Sequence, residues 1–184
     1  GAFLTFVVAL AKKTINWHMA APIILQTMKA TATVFLIIIG AFIFIPFMSL
    51  TGLAADMVTF LTSLPIGDVG VLVVVILIYM FLGTFLESMA MLVLTIPVVV
   101  ALATQLNWDL VWFGIIVVIV LEMGMISPPV GINVFVVKSI APEVPMRTIF
   151  KGIWPFWFAM AAMIALLVIF PPIAMYLPET MLGQ

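Results

Sequence analysis

Two short polar segments interrupt long apolar stretches of this sequence, and the first has residue types that bind cations. Residues 83–88 read Gly-Thr-Phe-Leu-Glu-Ser, so Thr84, Glu87 and Ser88 supply side-chain oxygen atoms. Hard cations prefer oxygen ligands, and a carboxylate at membrane depth is a functional candidate by default. We therefore predict a tip, beginning at Gly83, whose carbonyls, hydroxyls and carboxylate coordinate a cation. The alternative is an ordinary turn with Glu87 at a helix N-terminus, where the helix dipole favours its charge.

The second polar segment, residues 127–133, has the composition of a broken helix. Pro128 and Pro129 remove two amide donors and clash with the preceding turn, and Gly131 allows a positive φ. Ser127 and Asn133 are the polar side chains at its two ends. Such a break leaves free carbonyls and free amides, which suit a cation and an anionic substrate respectively, as in many secondary transporters. The alternative is a simple proline kink that neighbouring helices satisfy.

The elements that must position these segments are membrane helices. The chain has 184 residues, of which 67% are hydrophobic and 7% are charged, and its mean hydropathy is +1.47. A soluble domain is about 25% charged, and disorder requires low hydrophobicity, so both classes are excluded. Residues 69–82 do not alternate apolar and polar side chains as barrel strands do. The predicted fold class is an all-α polytopic membrane protein.

The alternation of apolar and polar stretches predicts the individual elements. We expect an interfacial helix over residues 14–28, spans over 31–50 and 153–177, a hairpin over 69–105, a discontinuous helix over 110–140 and a tail over 178–184. Tryptophans fall near the predicted interfaces, as in an aromatic belt: Trp17, Trp108, Trp112, Trp154 and Trp157.

The chain is predicted to be a single membrane domain with three parts. Residues 1–68 are scaffold or arm-like helices, residues 69–140 are the hairpin and discontinuous helix of a transport domain, and residues 141–184 are a cytoplasmic loop, the last span and the tail. Residues 1–11 begin within an apolar stretch and have the character of the end of a longer helix. We therefore expect a fragment of a larger protein.

The placement of charges predicts the topology, because Lys and Arg prefer cytoplasmic loops. Basic residues cluster before the first and the last span: Lys12, Lys13 and Lys29, then Lys138, Arg147 and Lys151. Residues 51–68 and the tail carry acidic residues and no basic one. The N-terminal basic segment is thus predicted to be cytoplasmic and the C-terminus to lie outside.

With that topology, residues 69–105 begin and end outside and must form a hairpin. The first arm, residues 69–82, spans roughly 21 Å as a helix, whereas the hydrocarbon core is about 30 Å thick. We therefore predict a re-entrant hairpin whose tip lies inside the membrane. Two full spans joined by a cytoplasmic turn at Glu87 are the alternative.

The sequence lacks the residues that nucleic-acid binding, thiolate or histidine metal sites and common enzyme motifs require. A net charge of −1 with six Lys and Arg predicts no nucleic-acid partner. The absence of cysteine and the single histidine, His18, exclude thiolate and histidine-rich metal sites. The sequence has no GxSxG, GxGxxG or P-loop motif, so we expect no enzyme. Glu122 is open to a structural or a functional role, including pairing with Lys138.

The two interruptions and their flanks resemble a known transporter family. The matching stretches are Gly-Thr-Phe-Leu-Glu-Ser-Met-Ala at 83–90, Leu-Thr-Ile-Pro at 94–97, Trp-Phe-Gly at 112–114, Glu-Met-Gly-Met-Ile-Ser-Pro-Pro-Val-Gly-Ile-Asn-Val-Phe at 122–135, and the closing prolines at 171, 172 and 178. Over essentially the whole chain, they resemble the C-terminal half of the large membrane subunit of tripartite ATP-independent periplasmic (TRAP) transporters. Residues 122–135 are the most specific part.

The resemblance implies a fold, an activity and partners. The fold is one half of an inverted-repeat, elevator-type ion transporter. The activity is sodium-coupled uptake of an organic acid, such as a C4-dicarboxylate or sialic acid, across the bacterial inner membrane. The partners are a small DctQ-like membrane subunit, a DctP-like periplasmic substrate-binding protein, the N-terminal half of the large subunit and the lipid bilayer. Sodium is the coupling ion, and no other cofactor is implied.

By the same resemblance, sodium lies between the hairpin tip and the unwound loop and is held largely by backbone carbonyls. The candidate substrate- and ion-binding residues are Gly83, Thr84, Glu87, Ser88, Ser127, Pro128, Pro129, Gly131 and Asn133. The sodium candidates among them are Gly83, Glu87, Ser127 and Gly131. Without the first half the site between the repeats is incomplete, so the chain alone is not expected to transport.

Two other functions remain as alternatives. A non-transporting membrane scaffold or assembly subunit, or a truncated remnant, would need no sodium and would tolerate Glu87→Gln and Ser127→Ala. A channel would need a continuous polar stripe, whereas the sequence has two polar islands.

Overall fold

The structure is a computed structural model that describes residues 8–9 and 17–182, with side chains described for residues 8–9 and 21–182. Residues 17–182 form eight α-helices and no strand. The helices are α1 (Trp17–Thr51), α2 (Leu53–Thr62), α3 (Gly67–Gly83), α4 (Ser88–Gln105), α5 (Leu110–Met125), α6 (Ile132–Ile140), α7 (Met146–Ile169) and α8 (Pro172–Leu182). Among the described residues, three segments are long and apolar enough to cross a membrane: Ala21–Thr51, Ser88–Gln105 and Met146–Ile169. The predicted all-α polytopic class is confirmed.

The chain divides into two units, Gly1–Gly40 and Ala41–Gln184. In the first unit, most described side chains from residue 21 onward are exposed. Apart from residues 8–9, the predicted helix over residues 1–11 lies outside the described residues, as does the start of the predicted interfacial segment. The second unit contains the hydrophobic core and both polar segments.

The prediction of separate helices over residues 14–28 and 31–50 is wrong. α1 runs without interruption from Trp17 to Thr51. The predicted boundary reads Lys-Ala-Thr-Ala over residues 29–32 and contains no glycine or proline. Because alanine and lysine have high helix propensity, nothing in this stretch ends the helix.

The boundaries of the last span also differ from the prediction. α7 begins at Met146, so Arg147 lies in its first turn rather than in a preceding loop. The helix ends at Ile169, just before Pro171, and the residues that follow form α8 instead of continuing the span to residue 177. Proline has no amide hydrogen and clashes with the preceding turn, which explains the interruption.

α5 lies at the centre of the core in the second unit. It packs against α3, α4, α6, α7 and α8. Half of its 16 residues are buried: Trp112, Phe113, Ile116, Val117, Val120, Leu121, Met123 and Gly124. A helix that is apolar on most sides is covered by protein or by lipid, and neighbouring helices cover half of α5. Its start is fixed by Asp109, whose carboxylate accepts hydrogen bonds from the amides of Val111 and Trp112.

Hydrogen bonds between helices hold the neighbours of α5 in register. The Trp112 Nε1–H donates to the carbonyl oxygen of Leu167 in α7 at 2.8 Å. In a regular helix that carbonyl would bond the amide of residue 171, but Pro171 has none. Tyr79 in α3 donates to the hydroxyl of Thr95 in α4 and so connects the two arms of the hairpin.

Candidate functional site

Two glycines bring the two polar segments together. Gly83 is the last residue of α3, and Gly124 lies at the penultimate position of α5. A Cβ atom on Gly124 would lie 2.9 Å from the Gly83 Cα and 3.1 Å from the carbonyl oxygen of Met80. Because small residues let helix backbones approach closely, the C-terminal ends of α3 and α5 are in direct contact. The tip (residues 84–87) and the break (residues 126–131) therefore begin beside each other.

In the tip, the polar side chains form hydrogen bonds within the hairpin, whereas several backbone carbonyl oxygens accept none from the described residues. Thr84 is buried, and its hydroxyl donates to the carbonyl of Phe81 at 2.8 Å. The amides of residues 84–86 bond back to carbonyls of the last turn of α3. Within the described part of the chain, the carbonyls of residues 83–86 accept no hydrogen bond. These four oxygens are available to a ligand.

Glu87 forms the N-terminal cap of α4. Its side chain is exposed, and Oε2 accepts a hydrogen bond from the amide of Ala90 at 3.0 Å. The Ser88 hydroxyl donates to Oε1 at 3.4 Å. Glu87 thus has the geometry of the alternative predicted from the sequence, in which its carboxylate lies at a helix N-terminus and does not serve as a cation ligand. Each carboxylate oxygen retains a lone pair beyond these bonds, so the role in cation binding stays a prediction.

Ser127 anchors the break to two other groups. Its side chain is 5% exposed, and the hydroxyl donates to the carbonyl of Met123 at 2.6 Å. The same oxygen accepts a hydrogen bond from Trp157 Nε1 in α7 at 3.0 Å. One lone pair of the hydroxyl oxygen remains for a further ligand. The Pro128–Pro129 peptide bond that follows is cis.

Gly131 ends the break in a conformation that favours glycine. Its φ is +64°, and a Cβ atom there would lie 3.1 Å from the carbonyl oxygen of Ser127 and 3.0 Å from Val134 Cγ2. Among the described residues, the carbonyls of residues 126–130 accept no hydrogen bond, and the half-buried side chain of Asn133 makes none. The predicted discontinuous helix is therefore confirmed, because α5 and α6 are separated by a segment with free carbonyls.

Charged side chains contribute little to this region. No group of three or more His, Asp or Glu side chains that would suit a metal ion occurs in the described ranges. Glu122 is exposed, and Lys138 donates instead to the carbonyls of Pro142 and Val144, at 2.6 and 2.8 Å. Lys138 therefore does not pair with Glu122. Apart from the Glu87 carboxylate, the oxygen atoms that the tip and the break offer are carbonyl and hydroxyl oxygens.

Sequence reasoning missed the roles of Gly124 and Trp157. A lone glycine in an apolar helix is a signal for close packing, and that signal was present at position 124. Trp157 was assigned to the interface because the last span was predicted to begin at Ile153. With α7 beginning at Met146, Trp157 lies at the middle of its helix, where it reaches Ser127.

A cleft adjoins the break in the second unit. Side chains of α3, the break and α7 line a space of about 360 Å³, and these include Phe81, Ser127, Pro128, Trp154 and Trp157. Its walls are mostly apolar, and Ser127 supplies a hydroxyl group to the lining.

Comparison with known proteins gives the family. The family described as "Tripartite ATP-independent periplasmic transporter, DctM component" matches residues 1–173. The chain belongs to this family. The resemblance inferred from the polar segments is therefore confirmed across almost the entire sequence.

Several curated proteins are similar to this DctM-family chain. The sialic acid TRAP transporter large permease protein of Vibrio cholerae is 30% identical over 161 residues, which cover 88% of this chain and 38% of that protein. The C4-dicarboxylate large permease protein of the same organism is 33% identical over 66% of this chain and 26% of its own length. The isethionate permease protein DctMQ of Oleidesulfovibrio alaskensis is 26% identical over 83% of this chain and 24% of its own length.

The chain thus spans well under half the length of the relatives that it matches. Those relatives are named as transporter permeases and not as enzymes. The matches identify the family; the substrate and the coupling ion are separate questions.

Proposed function

We propose that this chain forms part of the large membrane subunit of a TRAP transporter that takes up an organic acid with a sodium gradient. The family match over residues 1–173 supports a transport role. The relatives named above carry sialic acid, C4-dicarboxylate or isethionate in their names, and all three are organic anions. The substrate class is accordingly an organic acid anion.

The observation that carries the proposal is the pairing of two helix interruptions at the Gly83–Gly124 contact. Broken helices at membrane depth are tolerated where they are buried in protein or line a cavity, and a cleft adjoins this break. The free carbonyls of the tip and the break are hard oxygen ligands of the kind that sodium requires, and the free amides at the start of α6 suit an anionic substrate. In the proposed site, sodium is a co-transported ion that these carbonyls mainly hold. Glu87 in the tip, Ser127 in the break and Asn133 just after the break are the polar side chains next to these carbonyls in the sequence.

The proposed assembly has further components. Because the chain covers 38% of the sialic acid relative, we propose that the remainder of the large subunit supplies the second half of the site. A small DctQ-like subunit and a DctP-like periplasmic binding protein complete the transporter; the combined DctMQ name of one relative supports the first of these. The proposed location is the bacterial inner membrane, with the N-terminal basic segment cytoplasmic and the C-terminus periplasmic.

Uptake measurements test the proposal directly. The full-length large subunit containing this chain is reconstituted into liposomes with its partner proteins and given radiolabelled sialic acid, succinate or isethionate. We expect accumulation of one of these acids that requires an inward sodium gradient and is absent with potassium. Uptake that is indifferent to sodium would refute the coupling, and no uptake of any organic anion would favour a scaffold.

Cysteine labelling tests the proposed re-entrant hairpin. Because this chain has no cysteine, Ser88→Cys in an otherwise cysteine-free full-length subunit reports on the tip alone. We expect a membrane-impermeant maleimide to label it from the periplasmic side, and sodium to slow the reaction. Labelling only from the cytoplasm, at a rate that sodium does not change, would instead indicate two full spans joined by a cytoplasmic turn.

A further inference from the structure

Ser127 is held by a residue from outside its own helix. Trp157 in α7 donates a hydrogen bond from its Nε1–H to the Ser127 hydroxyl oxygen. This side-chain hydrogen bond connects the break to α7. The remaining bond of the Ser127 hydroxyl returns to Met123, one turn earlier in α5. The position of Ser127 in the break is therefore fixed jointly by α5 and α7.

Two aromatic rings contact the ring of Trp157. Its centroid lies 5.7 Å from that of Trp154 and 5.3 Å from that of Phe158, and both ring pairs have edge-to-face geometry. Such pairs contribute energy beyond the burial of their area. The indole N–H thus reaches Ser127 from a ring whose orientation two aromatic neighbours favour.

These two hydrogen bonds determine which lone pair of the Ser127 hydroxyl oxygen is available to a ligand. The hydroxyl proton is directed at the Met123 carbonyl, and one lone pair is taken by Trp157. A hydroxyl oxygen has two lone pairs, so one remains, with its direction set by the two bonds already made. The same contact places the neighbouring carbonyls of the break, which have no hydrogen-bond partner of their own among the described residues.

From this geometry we infer that Trp157 is a positioning residue for the coupling ion: it orients the Ser127 oxygen and the carbonyls of the break so that they bind sodium. The inference rests on the proposed sodium coupling. Trp157 acts through Ser127 and does not itself coordinate the ion.

Substitution of Trp157 by phenylalanine tests the inference in the full-length transporter with its partners. Trp157→Phe keeps an aromatic ring and removes the N–H donor. We expect the sodium concentration at half-maximal uptake to rise about fivefold, which is roughly what one neutral hydrogen bond contributes to an equilibrium constant. The maximal rate at saturating sodium and the temperature of unfolding should change much less.

Two matched tryptophans serve as controls. Trp154→Phe keeps an aromatic ring against Trp157 in the wall of the same cleft, and Trp154 donates no hydrogen bond within the described residues. Trp112→Phe removes an indole hydrogen bond to α7, but its acceptor is Leu167, away from the break. Both variants should keep the sodium dependence of the unsubstituted protein. An equal shift in either control would show a general packing effect and overturn the inference.

A double-mutant cycle separates action through Ser127 from independent action. Ser127→Ala should raise the half-maximal sodium concentration, and adding Trp157→Phe should then have no further effect. Additive effects of the two substitutions, or an unchanged sodium dependence in Trp157→Phe, would overturn the inference while sodium-driven uptake persists. Uptake that never depends on sodium would overturn the proposed coupling and this inference together.

Discussion

The tip and the break interrupt the membrane helices in different ways. In the tip, every polar side chain bonds within its own hairpin: Thr84 to the end of α3, and Glu87 to the start of α4. In the break, Ser127 bonds to α5 and to Trp157 in α7. At the Gly83–Gly124 contact, α3 meets α5 through backbone at the start of the tip, whereas the break is hydrogen-bonded to α7 through side chains.

The difference indicates a division of roles within one site. A segment whose hydrogen bonds are all internal can move as a unit without losing them, and the glycine contact limits how closely it approaches the break. A segment bonded to another helix, as the break is to α7, keeps its shape only while that helix stays in place. We therefore expect the tip to be the adjustable side of the site and the break to be the fixed side.

The largest effect on uptake is expected from a substitution that moves the tip and the break apart. Gly124→Val places side-chain atoms where the backbone of Gly83 and the carbonyl of Met80 already lie. The two helix ends must move apart, at a cost of about 1–3 kcal/mol, and the carbonyls of the tip and the break separate. We predict loss of uptake and a lower temperature of unfolding, measured in reconstituted and detergent-solubilised protein.

Gly114 provides the matched control on the same helix. A Cβ atom there has no neighbour within 4 Å among the described atoms. Gly114→Ala should leave both uptake and thermal stability nearly unchanged. If Gly124→Val were equally harmless, the glycine contact would not be what joins the two segments.

A smaller effect is expected from distorting the break alone. Gly131→Ala introduces a side chain at a φ of +64°, which costs roughly 1–2 kcal/mol, and crowds the carbonyl oxygen of Ser127. We predict a several-fold higher half-maximal sodium concentration in transport assays. Gly52→Ala has similar backbone strain, at φ +71°, but no crowding and no place in the site, so its sodium dependence should be normal.

The smallest effect should come from the tip carboxylate. Glu87→Gln keeps an acceptor for the Ala90 amide but removes the charge, whereas Glu87→Ala also removes the cap, which contributes about 1 kcal/mol. We predict that Glu87→Gln raises the half-maximal sodium concentration modestly at unchanged thermal stability, and that Glu87→Ala lowers stability as well. Normal sodium dependence in Glu87→Gln would leave this residue with the capping role only.

The positions of both interruptions were predictable from local chemistry. Proline and glycine act on their own backbone, so residues 127–133 predicted the end of α5 and the start of α6 without any knowledge of neighbours. The polar residues 83–88 likewise predicted the end of α3 and the start of α4. In each case the cause of the interruption lies within the segment itself.

The contacts between segments were not predictable in the same way. The role of Gly124 depends on which helix passes beside it, and the role of Trp157 depends on a boundary of α7 that was predicted seven residues too late. The single helix from Trp17 to Thr51 was missed because a change in polarity was interpreted as a change in structure. Helix packing and helix ends depend on tertiary neighbours, which one sequence does not contain.

The bond between Trp112 and Leu167 has a mechanical consequence. Pro171 and Pro172 remove the amides that would occupy the carbonyls of Leu167 and Val168, so the acceptors open to a neighbouring helix are confined to specific points along α7. If α7 slid by one helical turn, about 5.4 Å, against α5, the indole would face carbonyls already engaged within the helix. The two prolines therefore favour one position of α7 along α5, and a displacement of one helix against the other would lose this hydrogen bond, at a cost of about 1 kcal/mol.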